Sequence, residues 1–514
     1  MKRALGKMVV GNLIVTAAIR YPELESFFCS STNRRFTFRQ TNERCNRLAN
    51  GLADLGLSKG DKVAFLSTNR VEIVEIYFAL AKLGLIGIPL NYRLAPVEMI
   101  SLMRDIGANA MLVERRYGEV AQLALTELPH LAFHVSFGEG PAGFGRDYEA
   151  LLAVSAVSEP NIEVEESDPF VFNLTSGTTG LPKCYPLTHY NNATLASWFQ
   201  CHDMSRGDVV LTVFPMFGRV GFCWAACSVM YGIRNVIANF EADATLRLIG
   251  DERVTVTNLV PTMAAMLLAT PALESSDLSS LRALILAGSL LPAPIREASI
   301  ARLCPRLYEY YGMQESGTLV VSTPQDRLRQ PESVGRAIPF AEIRVIDAQG
   351  RDVTAGETGA IIARSPGSVT AYYENPEKSA ETFRDGWLHT GDLGRLDAEG
   401  FLFISGRLKE VIVTGGQNVH AGEIEELILT HPDVADCAVI GLVDPLWGEA
   451  VTAIVVPRAG ASIDGDDIVR LCRKQLAGFK TPKRVLLQKE PLPRTPTGKI
   501  QKFSLVERYR STDS

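Results

Sequence analysis

The sequence predicts an α/β fold, with a large N-terminal domain of layered mixed sheets and helices followed by a small α+β C-terminal domain. Two observations lead to this prediction. Apolar runs of strand length alternate with helical patterns through the long N-terminal part, and the composition changes after Gly406. The 514 residues are enough for about three average domains, or for one large domain with an appendage.

The alternation in the N-terminal part is regular. Lys62–Ser67 is predicted as a buried strand, Val71–Leu83 as a helix and Gly87–Leu90 as the next strand. Strands that alternate with helices in this way indicate parallel sheet. We predict four further strands, each followed by a helical stretch, at Asp208–Phe214, Asn235–Asn239, Val254–Leu259 and Leu281–Leu286.

Two segments stand outside this alternation. Met8–Ile19 follows basic residues and faintly resembles a signal peptide, but Gly11 and Asn12 interrupt it, so an amphipathic helix is favoured. The apolar residues that can share one face of that helix are Leu5, Met8, Val9, Leu13 and Ile19. Gly138–Asp168 has a glycine-rich start and an acidic end, and it is predicted as a surface connection.

The C-terminal part has the pattern of a small α+β unit. Its predicted strands are Glu410–Gly416 with a glycine turn, Val434–Val443, Ala450–Val456 and Arg484–Gln488, and its predicted helices are Gly422–Thr430 and Asp466–Leu476. The unit has about a hundred residues, a normal size for a domain. We therefore assign residues 1–408 to the N-terminal domain and 409–514 to the C-terminal domain, with Lys409 at the joint.

Composition and charge exclude several classes of protein. The apolar fraction of 46% and the charged fraction of 21% argue against disorder, and the net charge of −6 argues against a nucleic-acid partner. The nine cysteines are scattered without a CxxC pair, which argues against a disulfide framework or a zinc site and favours the cytoplasm. No apolar run approaches the ~20 residues of a membrane span.

The most informative segment is the loop Thr175–Lys183 (TSGTTGLPK), which follows the apolar stretch Phe170–Leu174. Glycines let backbone N–H groups approach an anion, hydroxyl groups add donors, and Lys183 adds a positive charge. Polyphosphate is the natural ligand of such a loop. A GxxxxGK[ST] loop does not fit, because the spacing of the glycine and the lysine differs and no serine or threonine follows the lysine.

This loop resembles the signature of the AMP-forming adenylating enzymes, which include acyl-CoA synthetases, firefly luciferase and the adenylation domains of peptide synthetases. The chain is most similar to the acyl- and aryl-CoA ligases among them, over nearly its whole length. Further matches, in the order of the family, are Tyr311-Gly312-x-x-Glu315, Thr390-Gly391-Asp392, Gly406-Arg407-Leu408-Lys409, Gly415-Gly416-Gln417-Asn418 and Pro496-Thr497-Gly498-Lys499.

The resemblance implies two half-reactions in one site. A carboxylate attacks the α-phosphorus of ATP and forms an acyl-adenylate and pyrophosphate. The small domain then rotates, and a thiol, usually that of coenzyme A, displaces AMP. The implied ligands are therefore ATP or AMP, Mg²⁺, CoA and a small carboxylic acid. Cations and oriented dipoles must offset the negative charge that gathers at the α-phosphorus.

Three residues are implied to act near the α-phosphate. Lys499 matches the adenylation lysine, Glu315 matches the magnesium carboxylate, and Gln314 stands where the family usually has threonine or serine. The alternative for Lys499 is a solvated tail lysine, although its Pro-Thr-Gly-Lys context favours catalysis, and the alternative for Glu315 is an exposed glutamate at a helix start.

Other residues are implied to bind the nucleotide. Asp392 and Arg407 match the contacts to the ribose, Tyr311 should stack on adenine, and Glu309 could accept a hydrogen bond from the adenine amino group. Plain core packing is the alternative for the tyrosines. The full set also contains Thr175, Ser176, Gly177, Thr178, Thr179, Gly180, Lys183, Gly288, Tyr310 and Gly312.

The acyl and CoA sites are implied by the same resemblance. Lys409 matches the hinge between the half-reactions, and Gly415 and Gly416 match the loop that lines the pantetheine tunnel. Trp447, Phe479 and Lys483 match positions near CoA, with ordinary packing or solvated charge as the alternative. For the acyl group the candidates are Phe217, Gly218, Gly221, Phe222 and Leu290, in a stretch that also fits a buried helix.

Three positions depart from the family pattern. Cys184 and Gly218 replace a glycine and a histidine, and Gln314 lacks the usual hydroxyl group. Loss of one transition-state donor costs about 2.7–4 kcal/mol. A carboxylic acid–CoA ligase is the favoured function, for a mainly apolar acid. The alternatives are an enzyme that only transfers acyl from a supplied acyl-adenylate to CoA, and a non-catalytic nucleotide-binding relative. A homodimer is compatible with the sequence.

Overall fold

The structure, a computed structural model, describes residues 6–140, 145–175, 183–194, 199–414, 417–494 and 498–510. Within these residues the strands form four sheets. Two large sheets and a smaller third sheet belong to the N-terminal domain, and the fourth sheet belongs to the C-terminal domain. The α/β class and the division into a large and a small domain are confirmed.

The first sheet has the strand order β16-β15-β14-β13-β12-β10-β11-β1-β2. Its strands are β1 Glu25–Cys29, β2 Arg34–Thr37, β10 Val209–Thr212, β11 Arg234–Ile237, β12 Val256–Leu259, β13 Ala283–Ala287, β14 Leu307–Met313, β15 Gly317–Ser322 and β16 Arg336–Ala337. Strands β10, β12, β13 and β14 are parallel neighbours, so their carboxyl ends meet at one edge of the sheet. That edge is where ligands bind in open α/β sheets.

The second sheet has the order β7-β6-β5-β3-β4-β8-β9 and is parallel except for the last pair. Its strands are β3 Lys62–Leu66, β4 Ile86–Pro89, β5 Ala110–Glu114, β6 Phe133–Phe137, β7 Arg146–Asp147, β8 Pro169–Thr175 and β9 Lys183–Thr188. The third sheet is antiparallel and contains β17 Glu342–Ile346, β18 Gly359–Arg364, β19 Phe383–Arg384, β20 Trp387–Leu396 and β21 Leu402–Arg407.

The fourth sheet is built from β22 Val411–Thr414, β23 Gln417–His420, β24 Val434–Asp444, β25 Gly448–Pro457 and β26 Arg484–Leu487. The long β24–β25 hairpin forms its centre. Helices Ala421–Leu429 and Gly465–Gln475 share one apolar cluster with this sheet, and Lys502–Arg510 shares another. The C-terminal domain therefore has a core of its own.

The helices of the N-terminal domain cover the large sheets. They are Val10–Arg20, Phe38–Asp54, Val71–Leu83, Pro96–Ile106, Gly118–Glu127, Tyr148–Val154, His189–Ala193, Arg219–Tyr231, Ala242–Asp251, Pro261–Ala269, Ala293–Arg302, Pro324–Arg329 and Pro376–Thr382. Every residue of Val71–Leu83 is buried, because this helix shares one core cluster with strands of both large sheets. None of the helices in the described ranges has the length and apolar character of a membrane span.

The structure corrects two sequence predictions. Gly138–Asp168 is not all connection, because it contains β7 and the helix Tyr148–Val154, whose first turn is capped by Asp147 accepting from the backbone N–H of Ala150 at 2.8 Å. The first helix is confirmed, but its predicted face is only partly right. Val9 is buried and Leu13 packs against the core, whereas Met8 is exposed and Leu5 lies outside the described residues. Ile19 is 70% exposed, whereas Val10 and Ile14 are buried.

Candidate active site

The carboxyl ends of the parallel strands face the C-terminal domain, because the Cβ position of Gly498 in that domain lies 3.2 Å from the hydroxyl oxygen of Thr262, which follows β12. We call the space between the two domains at this edge the cleft. Gly288 directly follows β13, and an added Cβ there would lie 3.2 Å from the side chain of Val260, which directly follows β12. Tyr311 lies near the carboxyl end of β14. Parallel pairing of these strands therefore brings several sequence-predicted positions to one edge of the sheet.

Asp392 is held at this edge by two groups. It is buried on β20 and lies opposite Arg407 of β21 in the antiparallel register, with 3.0 Å between Nε of Arg407 and Oδ1 of Asp392. The hydroxyl of Tyr311 donates to Oδ2 at 2.6 Å. Burial, together with this carboxylate, raises the pKa of Tyr311 well above its usual value, so the phenol stays a donor. The structure thus brings together three residues implied to bind the nucleoside.

Glu315 and Gln314 lie in the tight turn between β14 and β15. Oε1 of the buried Glu315 accepts from the hydroxyl of Tyr372 at 2.9 Å. Lys183 lies with its Nζ 5.0 Å from the ring centre of Tyr372. Burial and the nearby Lys378 lower the pKa of Lys183, while Glu315 acts to raise it. Position 312 requires glycine, because a Cβ atom there would lie 2.1 Å from the carbonyl oxygen of Gly317.

Lys499 reaches this cleft from the C-terminal domain. The preceding Gly498 has φ +86°, and its Cβ position is 3.2 Å from the hydroxyl oxygen of Thr262 in the large domain. Lys499 is exposed to the cleft, yet protein surrounds its ammonium group closely enough to lower its pKa. The charge of Arg407 lowers that pKa further, and the carboxylates of Asp392 and Glu315 oppose the shift. The charges of Lys499, Asp392, Arg407 and Glu315 therefore influence one another across the two domains.

The backbone before Lys499 is fixed within the small domain. Nη1 of Arg494 donates to the carbonyl oxygen of Gly498 at 2.6 Å, and its Nη2 donates to Oδ2 of Asp436 at 2.6 Å. Asp436 lies on β24, the long strand of the domain core. Lys499 is thus connected to the rigid part of its domain.

The expected adenine residues occupy different environments. Glu309 is buried and carries an ion pair to Arg327, with 3.3 Å between Oε2 and Nη2. Burial raises the pKa of Glu309, although Arg327 acts in the opposite direction. Tyr310 packs against a core cluster, and its hydroxyl accepts from Nδ2 of Asn258 at 3.2 Å. Of the two tyrosines, Tyr311 is the one in contact with Asp392.

The acyl candidates are also divided. Phe217 is half-buried, with its ring 5.2 Å from that of Tyr92 and nearly perpendicular to it. Phe222 is buried in the main core, where it stacks on Tyr77 at 3.9 Å. Gly218 is the N-cap residue of the helix Arg219–Tyr231, which contains Gly221, and Leu290 is 49% exposed.

The residues predicted for CoA lie on the surface of the small domain. Trp447 is 40% exposed and Phe479 is 37% exposed, and Nζ of Lys483 lies 4.9 Å from the Trp447 ring. Lys409 is exposed in a short 3-10 turn between the domains. The predicted positions Ser176, Gly177, Thr178, Thr179, Gly180, Gly415 and Gly416 lie outside the described residues, as does the side chain of Thr175.

Two family models match the chain. The model of the AMP-binding enzyme matches residues 15–373, and that of the AMP-binding enzyme C-terminal domain matches residues 423–499. The chain belongs to the AMP-binding enzyme family. The first match includes Tyr311 and Glu315, the second ends at Lys499, and Asp392 and Arg407 lie between the two matches.

Characterised members of the AMP-binding family are similar to the chain along its length. An indoleacetate–CoA ligase from Aromatoleum aromaticum is 36% identical over 495 residues, covering 94% of this chain and 93% of the relative. A long-chain fatty acid–CoA ligase from Mycobacterium tuberculosis is 34% identical, with 98% and 99% covered. Among solved structures, an anthranilate–CoA ligase in complex with anthranoyl-AMP has a TM-score of 0.90 at 27% identity, with 98% of both chains covered.

Sequence reasoning missed three residues that orient the site. Tyr372 and Tyr185 donate to Glu315 and Gln314 from distant segments, and no local pattern announces such contacts. Arg219 is different, because it begins an otherwise apolar helix and is itself buried. A charged residue that leads an apolar run was the available signal, since arginine is seldom fully buried without partners.

Proposed function

We propose that this AMP-binding enzyme is a carboxylic acid–CoA ligase that forms an acyl-CoA through an acyl-adenylate. The observation that carries the proposal is the position of Lys499. Lys499 belongs to the small domain and directly follows Gly498, whose Cβ position lies 3.2 Å from Oγ1 of Thr262 in the large domain. The carboxylates of Asp392 and Glu315, also in the large domain, act to raise its pKa. Attack of a carboxylate on a phosphate requires a cation at the nucleotide site, because both reactants are anionic.

In the first half-reaction the acid carboxylate attacks the α-phosphorus of ATP, and pyrophosphate leaves. Asp392 offers carboxylate oxygens to the ribose hydroxyls, and Arg407 and Tyr311 keep it in place. Lys499 draws the two anionic reactants together and offsets charge at the α-phosphorus. Lys183 offsets charge on the departing pyrophosphate. Asp392, Arg407 and Tyr311 are preset by the fold of the large domain, so this half of the site needs little reorganisation during the reaction.

Magnesium fits the residues present. The buried carboxylate of Glu315 has one oxygen oriented by Tyr372, and its other oxygen has no hydrogen-bond partner in the described ranges. Those ranges contain no cluster of three acidic, histidine or cysteine ligands. One carboxylate with substrate phosphates and water is a normal magnesium environment. When bound, Mg²⁺ would neutralise phosphate charge beside Glu315.

In the second half-reaction the CoA thiolate attacks the acyl carbonyl carbon, and AMP leaves with the electron pair of the broken C–O bond. We propose that the domain boundary falls at residue 409 and that rotation about Lys409 replaces Lys499 with the CoA-binding surface. Trp447 and Lys483 support this assignment, because an exposed indole and a nearby ammonium group suit adenine stacking and phosphate binding.

The acid is proposed to be mainly apolar and aromatic. The aromatic pair Phe217–Tyr92 and the side-chain-free Gly218 support this choice. Relatives named for indoleacetate and ferulate, and a solved relative named for anthranilate, add to it. The assay is release of AMP, pyrophosphate and acyl-CoA with ATP, CoA and a panel of these three acids and long-chain fatty acids. Absence of product from folded protein with every acid would contradict the proposal.

A second candidate is transfer of acyl from a supplied acyl-adenylate to CoA, without adenylation. Gln314, Gly218 and Cys184 motivate it, since Gln314 lacks the hydroxyl group and Gly218 lacks the imidazole of the family pattern, and Cys184 replaces a glycine. Acid-dependent ATP–pyrophosphate exchange separates the candidates. Robust exchange eliminates the second one, whereas CoA transfer without exchange eliminates the first.

We also propose a cellular location and an oligomeric state. The cytoplasm suits a chain in which all nine cysteines are free thiols. A homodimer is proposed as the oligomeric state, and sedimentation equilibrium of the full chain tests it.

A further inference from the structure

The turn between β14 and β15 has its backbone fixed at three successive carbonyl groups. The carbonyl oxygen of Gln314 accepts from Nη1 of Arg219 at 2.8 Å. That of Glu315 accepts from the backbone N–H of Val369 at 2.8 Å, and that of Ser316 accepts from the hydroxyl of Ser365 at 3.2 Å. These bonds come from two other segments of the large domain, so the turn cannot shift without breaking several of them.

Arg219 is the unusual member of this arrangement. It is 2% exposed, and its second amino group donates to the carbonyl oxygen of Gly367 at 2.6 Å. Within the described ranges no carboxylate lies within ion-pair distance of it, so carbonyl dipoles stabilise its charge. The guanidinium of Arg219 binds these two carbonyl oxygens and also interacts with the thiol of Cys223, and in this way it joins the turn to the segment that contains Gly367.

The side chain of Gln314 is fixed as well. The hydroxyl of Tyr185, a fully buried residue of β9, donates to Oε1 of Gln314 at 3.1 Å. Burial raises the pKa of Tyr185, so its phenol keeps the proton that makes this bond. The amide oxygen is engaged, and in the described part of the chain the amide nitrogen of Gln314 has no hydrogen-bond partner. Two N–H donors therefore remain available to a ligand.

Gln314 and Glu315 are oriented in the same way. Each accepts a tyrosine hydroxyl on one oxygen, from Tyr185 at 3.1 Å and from Tyr372 at 2.9 Å. Lys183, the last residue of the loop predicted to bind phosphate, has its Nζ 5.0 Å from the ring centre of Tyr372, the partner of Glu315, so this turn lies beside that loop. A glutamine is longer and more flexible than a threonine, and it can serve as a preorganised donor only if another group restrains it.

We propose that Tyr185 is a positioning residue for adenylation, whose hydroxyl holds Gln314 so that the amide N–H donates to an α-phosphate oxygen of the nucleotide. The inference rests on the proposed function. Arg219 supports it by fixing the turn. In this arrangement the glutamine–tyrosine pair supplies the donor that a hydroxyl side chain would otherwise provide.

A double-mutant cycle tests the coupling between the two side chains. Tyr185→Phe removes the hydroxyl and keeps the ring, and Gln314→Thr provides a short donor that needs no restraint. We expect Tyr185→Phe to lower the kcat of acid-dependent ATP–pyrophosphate exchange about tenfold, with the KM for ATP nearly unchanged. In the Gln314→Thr background the same change should cost less than about twofold. An equal loss in both backgrounds would overturn the proposal.

Tyr148→Phe is the matched control. Tyr148 is also a buried tyrosine, and its hydroxyl donates to Oε2 of Glu75 at 2.6 Å in the core of the large domain. We expect a change in thermal stability from this variant but an unchanged exchange rate. If Tyr148→Phe lowered exchange as much as Tyr185→Phe, the effect of Tyr185 would be structural and the proposal would fail.

A binding measurement makes the test independent of turnover. The ratio of the Kd for adenosine to the Kd for AMP, measured by calorimetry, reports the contacts to the phosphate group. We expect Tyr185→Phe to lower this ratio about fivefold and Tyr148→Phe to leave it unchanged. An unchanged ratio in Tyr185→Phe contradicts the contact. If wild type shows no exchange with any acid but the ratio falls, the proposed function fails and the contact is retained.

Discussion

The two sides of the cleft are built differently. On the large domain, Asp392 and Glu315 are buried, and each accepts a tyrosine hydroxyl from its own domain. On the small domain, Lys499 is exposed, and its pKa responds to the charges of those carboxylates only because the domains are arranged as they are. The half of the site on the large domain is therefore preorganised, whereas the half on the small domain depends on the position of that domain.

The largest expected effect comes from removing the side chain of Lys499, which the small domain contributes to the site. Lys499→Ala should lower the kcat of ATP–pyrophosphate exchange by about 10²–10³-fold, because a charged donor at the α-phosphorus is lost. AMP binding should change little, since Asp392 and Tyr311 remain. Exchange kinetics and calorimetry measure the two quantities. Lys489→Ala, an exposed lysine of the same domain, is the control and should have wild-type exchange.

A substitution at Asp392, in the preorganised half of the site, should instead weaken nucleotide binding. In Asp392→Asn one acceptor oxygen becomes an amide donor that faces Tyr311 or Arg407, so we expect adenosine and AMP to bind about 10–100-fold more weakly. Calorimetry of adenosine measures this directly. Asp352→Asn breaks an exposed ion pair with Arg344 and is the control. Full nucleotide affinity in Asp392→Asn would remove Asp392 from the site.

The pH dependence sharpens the comparison further. The pKa of Lys499 is lowered by the surrounding protein, so its ammonium charge is present at lower pH and is lost on raising the pH through a value below the ordinary 10.5. Exchange should therefore fall about tenfold per pH unit above that pKa. Lys499→Arg keeps its charge, and its rate should be flat over the same range. An alkaline decline of equal steepness in both proteins would assign the titration to another group.

The smallest expected effect concerns the contact between the domains. Burial raises the pKa of Glu426 on the small domain, and Glu332 on the large domain adds to the shift. The ionised carboxylate therefore opposes this arrangement at neutral pH, and protonation favours it as the pH falls. Glu426→Gln should increase exchange about twofold. Glu423→Gln, which loses a salt bridge to Lys480 within the small domain, serves as the comparison variant.

Much of this fold follows from sequence periodicity. The helix Val71–Leu83 was predicted with its observed bounds, because it lies between flanking strands with clear apolar patterns. The short helix Tyr148–Val154 was hidden by the glycine-rich segment before it, although Asp147 is a normal N-cap residue. Local pattern favours long elements and does not resolve a two-turn helix within a connection.

The motif residues of the site could be predicted from the sequence, but the residues that orient them could not. Asp392, Arg407 and Tyr311 were assigned from short motifs, and the register of β20 and β21 explains why the first two meet. The bond from Tyr185 to Gln314 spans 129 positions and depends on the direction of two side chains, which no local pattern encodes. The same limit applies to Phe222, whose apolar character fits a pocket or a core equally well.

A crystal structure of the full chain with AMP and Mg²⁺ tests the central claim most directly. The account predicts the ribose hydroxyls on the Asp392 carboxylate and the phosphate within reach of both Lys499 Nζ and the Gln314 amide. AMP bound away from the cleft would contradict the account. A structure in which Lys499 and Asp392 contact two different AMP molecules would contradict it as well.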